Sequence, residues 1–282
     1  MVCAGGGGRL RATVMAVFGF TWASFSVAAA LFLDLNNAPG EIQALAKALP
    51  SSPIIVLPTR DGVPEATRKR IFELGRQFEA ENRRAVECRV SVECHPIWER
   101  LRALEVERLR LLAGYDVRAL ARELKEQVVD RGVRLDRVVI SGHHSGGYFR
   151  GELLELTAED LRWLELSAPG IFSSVQAVYL FGCETVTAHT AFNLFADVFR
   201  QATLIVGAED NAPTRLEARN LRFIREVVQL EPRLLAAGTL LEMTRLYRQL
   251  LQHPWPVSLL WPRRWYFSRE FREGAEASRA LP

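Results

Sequence analysis

Lysine is nearly absent from this chain. Among its 36 basic residues only Lys47, Lys69 and Lys125 are lysines, and the arginines alternate with Glu and Asp instead of gathering into a patch. With a net charge of +3 there is no concentrated basic surface, and no nucleic-acid partner is expected. Internal repeats are also missing, and low complexity is confined to Gly5 to Gly8. Cysteine is scarce, with four in 282 residues. Cys94, His95, His143, His144 and Cys183 lack the ligand spacing of a zinc site, so neither a metal nor another cofactor is expected. What is present is ordinary for a globular chain: 49% hydrophobic and 24% charged residues, enough to build one sizeable α/β domain.

Charge is absent from one long stretch. Arg9 and Arg11 precede an uncharged, apolar run from Ala12 to Leu33, and Asp34 ends it. A positive start, an apolar middle and the small residues Ala28-Ala29-Ala30 are the marks of a secretory signal with its cleavage site. The run is also long enough to cross a bilayer as an uncleaved anchor. The third option is a buried helix of the globular domain. Residues 1–33 are therefore expected to be a signal peptide or membrane anchor forming an apolar helix over 12–33. This would place the rest of the chain outside the cytoplasm, with membrane association through 12–33 as the alternative to release. In an oxidising compartment Cys88 and Cys94, with five residues between them, suit a small disulfide loop. Cys3 lies in the leader, so Cys183 is left unpaired.

Past the leader the chain punctuates itself. Glu41 to Leu49 has helical spacing, Pro50 to Pro53 breaks it, and Ile54-Ile55-Val56-Leu57 is a short buried strand. Pro64 to Arg84 is helical, with Ile71, Leu74 and Phe78 on one face. The stretch from Cys88 to Cys94 alternates like a strand or hairpin arm, and Ile97 to Asp130 is helical with a break near Gly114. Thr157 to Leu166 begins with a capping box. Ala188 to Arg200 is expected to be helical, Ala202 to Ala208 a strand, and Arg215 to Gln252 helical again. The Trp- and Arg-rich tail, with Trp255, Trp261, Arg263, Arg264 and Trp265, is expected to pack on the domain.

Two segments share one format: Leu135-Asp-Arg-Val-Val-Ile-Ser-Gly-His143-His144-Ser-Gly-Gly and Val175-Gln-Ala-Val-Tyr-Leu-Phe-Gly-Cys183-Glu-Thr. Each is a short hydrophobic strand ending in Gly and a chemically capable residue. A helix between them implies a parallel pair joined by a crossover. Ligands of parallel sheets bind beyond the carboxyl ends of the strands, and neighbouring strands are about 5 Å apart. An imidazole and a thiol at two such ends are placed for nucleophilic catalysis, the imidazole generating the thiolate. The backbone N–H groups at His144 and Cys183 are candidates for holding an oxyanion.

Strand, Gly-His, crossover, strand and Gly-Cys-Glu-Thr resemble the caspase-like cysteine peptidases, a clan that includes caspases, legumains, gingipains, separases and bacterial CHAT domains. The Cys-Glu-Thr tripeptide and the Thr-Ala-Glu-Asp-Leu helix start are most similar to CHAT domains. The resemblance spans about Leu135 to Pro213. It implies a mostly parallel central sheet flanked by helices, over about 50–270, that cleaves peptide or protein substrates with a Cys–His dyad. By position Cys183 is then the nucleophile and His143 the base. That family usually has Gly directly after the histidine, where this chain has His144, so His144 is the alternative base.

Other assignments compete. Ser145 resembles an α/β-hydrolase nucleophile, although two residues rather than one separate it from Gly142. A catalytically silent caspase-like binding domain is the other alternative. Glu209 and Asp210 follow a strand and are candidates for lining a pocket for a basic side chain.

Overall fold

The computed structural model describes residues 28–88, 94–145, 147–187, 197–261 and 265–269. Its centre is a seven-stranded sheet in the order β10-β9-β8-β7-β3-β1-β2. Strands β1 (Ala28–Asp34), β2 (Ile54–Leu57), β3 (Arg134–Ser141), β7 (Ala177–Phe181) and β8 (Leu204–Ala208) run parallel. At one edge β9 (Val257–Trp261) pairs antiparallel with β8, and β10 (Trp265–Phe267) antiparallel with β9. The expected parallel neighbours at 135–140 and 175–181 are β3 and β7, with Arg137 beside Ala177 and Ser141 beside Phe181.

Alternate residues of each inner strand point to opposite faces, and both faces are buried. Leu31, Leu33, Val138, Ile140, Val178 and Leu180 meet α4 (Val117–Leu124) and α5 (Ala158–Ser167) through Leu120, Leu124, Leu161 and Leu164. Phe32, Val139, Tyr179 and Phe181 meet α1 (Pro39–Ala48), α6 (Ala218–Ala236) and α7 (Leu240–Leu250) through Leu45, Phe223, Val227 and Tyr247. The result is a three-layer α/β domain. Of the tail, Arg263 and Arg264 lie outside the described residues, but Trp255 and Trp261 pack on the domain: Trp255 is fully buried and stacks on Phe223, ring centroids 4.2 Å apart.

The leader is corrected in part. Residues 12–27 lie outside the described residues, but Ala28 to Leu33 are strand, not helix. Ala29 to Leu33 are fully buried, so cleavage within Ala28-Ala29-Ala30 would cut into a sheet strand lying between β2 and β3. The domain therefore begins before residue 50, with β1 and α1 inside it. The error has a physical cause: a parallel strand buried on both faces is a continuous apolar run, and it merges with any apolar segment before it. Asp34 ends the strand by turning the chain. Its Oδ1 accepts the Ala38 N–H at 2.8 Å, and its Oδ2 takes the buried Arg68 at 3.2 Å. Among the described residues no helix is long and apolar enough to cross a membrane.

Two further segments differ from expectation. Cys88 and Cys94 form a disulfide, but Cys88 caps the end of α2 (Glu65–Glu87) and Cys94 the start of α3 (His95–Leu111), so the bond clamps two helices, not a hairpin of strands. A small antiparallel sheet, to which sequence analysis assigned no element, is formed by β4 (His143–Ser145), β5 (Tyr148–Arg150) and β6 (Glu155–Thr157). Thr157 does cap α5 through a capping box with Asp160. The expected helix at 188–200 falls mostly outside the described residues.

Candidate active site

The carboxyl ends of β1, β3 and β7 open on one cleft of about 340 Å³. Gly142 and His143 from the end of β3, and Gly182 and Cys183 from the end of β7, all line it. The strand order turns back between β1 and β3, so the loops leaving them diverge and leave the crevice expected at such a switch point. A larger hollow of about 670 Å³ at the other end of β3 has no His, Cys or carboxylate in its lining.

The two glycines owe their place to crowding. A Cβ on Gly182 would stand 2.4 Å from the Gly142 carbonyl oxygen and 3.1 Å from His144 Cβ. The Gly142 N–H in turn donates to the Phe181 carbonyl at 3.1 Å. The missing side chain at Gly182 lets the ends of β3 and β7 touch, which brings His143 and Cys183 to one opening, while a Cβ on Gly142 would press on Phe149, Arg150 and Leu35 at 3.2–3.3 Å.

After Cys183 the chain turns sharply. Glu184 has φ +51°, a left-handed conformation that costs a non-glycine residue energy and persists only where its surroundings impose it. Those surroundings are hydrogen bonds: Glu184 N–H donates to Asp210 O at 3.1 Å, and Thr185 Oγ1 donates to Leu180 O at 3.0 Å. The Ala208 N–H donates to Thr185 Oγ1 at 2.9 Å, tying the turn to β8. Cys183 thus stands half-buried on a strained turn at the head of a rigid strand, outside any disulfide.

Strand geometry separates the two histidines. Successive side chains of a strand point to opposite sides, so only one of His143 and His144 can face the cleft. His143 lines it and is exposed at its mouth. His144 is 5% exposed and packs against Phe149, ring centroids 5.0 Å apart, with Nδ1 3.0 Å from the Cys183 carbonyl oxygen. As the partner of a carbonyl, Nδ1 carries the proton. The main chain of His144 is opposite Phe149 in the β4–β5 pair, while the Cys183 N–H donates to no described residue. His143 is held below the usual histidine pKa by partial burial, then by the Arg215 guanidinium, against an opposing pull from Glu79. A neutral imidazole at physiological pH is the form a general base requires.

The remaining candidates lie elsewhere. Ser145 is an exposed member of an antiparallel strand, away from the cleft and not at a strand-to-helix turn. Glu209 and Asp210 do not line the cleft either. Glu209 accepts the Arg269 N–H at 2.7 Å, and Asp210 lends its carbonyl to Glu184. The residues just beyond them, Asn211 to Leu216, do line it. Sequence inspection missed the acids that stand there. Glu41 on α1, Glu79 on α2 and Glu152 in the β5–β6 loop come from three separated segments, which no local spacing links. A hint was available for Glu41, a charge in a helix that must bury one face.

The fold and the cleft define a class: a mostly parallel α/β sheet with a polar cleft at its carboxyl edge, holding a thiol and an imidazole from adjacent strand ends. No family model, curated protein or solved structure matches the chain.

Proposed function

We propose that this protein is a cysteine endopeptidase of the caspase-like kind, with Cys183 as nucleophile and His143 as general base. The observation that carries this is the placement of both residues in one cleft, at the ends of adjacent parallel strands. His143, neutral at physiological pH, takes the thiol proton, and the thiolate attacks the substrate carbonyl. The Cys183 N–H, which has no acceptor among the described residues, holds the oxyanion of the tetrahedral intermediate in this reading. The imidazolium then protonates the leaving amine, and water, activated by the same imidazole, releases the acyl group. His144 acts as a strut: its ring fixes the Cys183 carbonyl and so the orientation of the peptide that carries the nucleophile.

Export or membrane anchoring through the apolar leader belongs to the same proposal. The Cys88–Cys94 disulfide supports an oxidising compartment, where such bonds persist.

A thiol-reactive peptide probe and a peptide-cleavage assay test the dyad. Cys183→Ala should abolish labelling and turnover, and His143→Ala should lower kcat by about 10²–10⁴-fold, both with unchanged melting curves. His144→Ala should lower stability by about 1–3 kcal/mol and retain more activity than His143→Ala. Full activity in Cys183→Ala would end the proposal.

A further inference from the structure

Thiol chemistry leaves several oxygen atoms of the cleft unexplained. Glu41 is 2% exposed, yet it lines the cleft. One side of its carboxylate is held by a relay: Trp255 Nε1–H donates to Asn220 Oδ1 at 3.0 Å, and Asn220 Nδ2–H donates to Glu41 Oε1 at 2.5 Å. The other oxygen, Oε2, has no hydrogen-bond partner among the described residues. The Ser141 hydroxyl stands close enough to Glu41 to favour its charged form, yet by geometry Ser141 Oγ has no hydrogen-bond partner among the described residues. Glu152 repeats the pattern: Oε1 takes the Arg215 guanidinium and Oε2 has no partner. Asn36 Oδ1, in the same lining, is a third such atom.

A buried acceptor without a donor costs about 1–3 kcal/mol, so three in one cleft mark a place where donors arrive from outside the chain. The charge balance says which donors. Glu41, Glu79 and Glu152 face a single cation, Arg215. That cation is already engaged, paired with Glu152 and lying 5.6 Å over the Phe72 ring. An ammonium offers three donors and a guanidinium five, and neither brings a further acceptor. Leu216, exposed, and the half-buried Ala212 in the lining supply apolar surface for the stem of such a side chain.

We infer that the cleft beside Cys183 is a subsite for a cationic side chain, Arg or Lys, with Glu41 Oε2 and Glu152 Oε2 as its acceptors. That this side chain adjoins the scissile bond of a substrate rests on the peptidase proposal; the cation site does not.

Benzamidine, a rigid amidinium, is the probe, and neutral benzamide its control. The readout is the rate at which iodoacetamide alkylates Cys183 in the full chain, followed by peptide mass mapping, which requires no turnover. Benzamidine should slow alkylation of Cys183 and benzamide should not. Glu41→Gln and Glu152→Gln should each raise the benzamidine concentration for half-protection about tenfold or more, with the other variant standing in if one fails to fold. Equal protection by both compounds, protection by neither, or protection unchanged in both variants overturns the inference; the last result would mean that water fills those acceptor positions. Peptide amides with Arg, Lys, Leu or Asp before the labile bond separate the two proposals. Cleavage after Leu or Asp at least as fast as after Arg refutes the cation subsite and keeps the peptidase. Selective protection by benzamidine with no cleavage of any peptide keeps the cation site and counts against the peptidase.

Discussion

Glu41 shows how one residue is made costly by its place. Burial pushes its pKa from 4.5 up to about 7, with the Ser141 and Asn220 side chains pulling the other way. Nearby Asp34 adds to the rise and Arg215 opposes it. The sign follows directly: a carboxyl whose folded pKa lies above its unfolded value favours folding below the unfolded pKa, and that advantage is lost as pH climbs to the folded one. The wild-type protein should therefore lose about 3 kcal/mol of stability from Glu41 between pH 4.5 and 7. Glu41→Gln should remove that part of the slope, as the difference between two sets of urea melts will show. A bound cation should restore the lost stability to the wild type at neutral pH but not to the variant, because it binds the charged carboxylate. The histidine pair carries a second lesson at this scale. The sequence left the base open between His143 and His144; a strand at 143–145 puts them on opposite sides, and that strand depends on a partner at 148–150.

At the scale of elements, β1 is the segment whose assignment matters most. Its residues read as the end of a leader, yet Ala30 to Leu33 pair with β2 and Ala28 to Asp34 pair with β3. A chain beginning at Ala28 should fold, whereas one beginning at Leu31 should lose its cooperative thermal transition by circular dichroism. Signal cleavage, if it occurs, is then expected before Ala28. No element was read from the sequence at the turn between His-His-Ser and Tyr-Phe-Arg, where Gly147 has φ +93°, a conformation that favours glycine. Helices α2 and α5 were legible because each keeps an apolar stripe and polar flanks long enough to reveal a 3.6-residue period, whereas the helical stretch expected over 215–252 is two helices, α6 and α7, the second capped afresh by Thr239.

Across the whole molecule, one buried ionic group joins the layers. Glu231 on α6 is 1% exposed and accepts from Arg137 Nε of β3 at 2.7 Å and from the Tyr179 hydroxyl of β7 at 2.5 Å. Without Glu231 the buried Tyr179 hydroxyl loses its acceptor and Arg137 keeps only Asp136, at 2.6 Å, so Glu231→Ala should cost about 1–3 kcal/mol. Urea unfolding followed by tryptophan fluorescence and by far-UV circular dichroism should shift together, since Trp255 and Trp261 belong to the same core cluster as α6.

What the sequence determined by itself were the local matters. Apolar runs ending in glycine made β3, β7 and β8 parallel strands with a helix between the first two, and that alone sent His143 and Cys183 to the same edge of a sheet. Capping at Thr157, the breaks at Pro50 and Gly114, and the closeness of Cys88 to Cys94 were equally local. Only the tertiary structure decided the rest. Whether Ala28 to Leu33 is leader or core depends on strands more than twenty and a hundred residues away (β2 and β3) that offer it hydrogen bonds. Which histidine lines the cleft depends on a neighbouring strand, and the acids of the cleft meet only because α1, α2 and the β5–β6 loop converge on it. Propensity and periodicity act over a few residues, whereas the burial that raises Glu41 and leaves its second oxygen without a donor arises only when distant segments exclude water together.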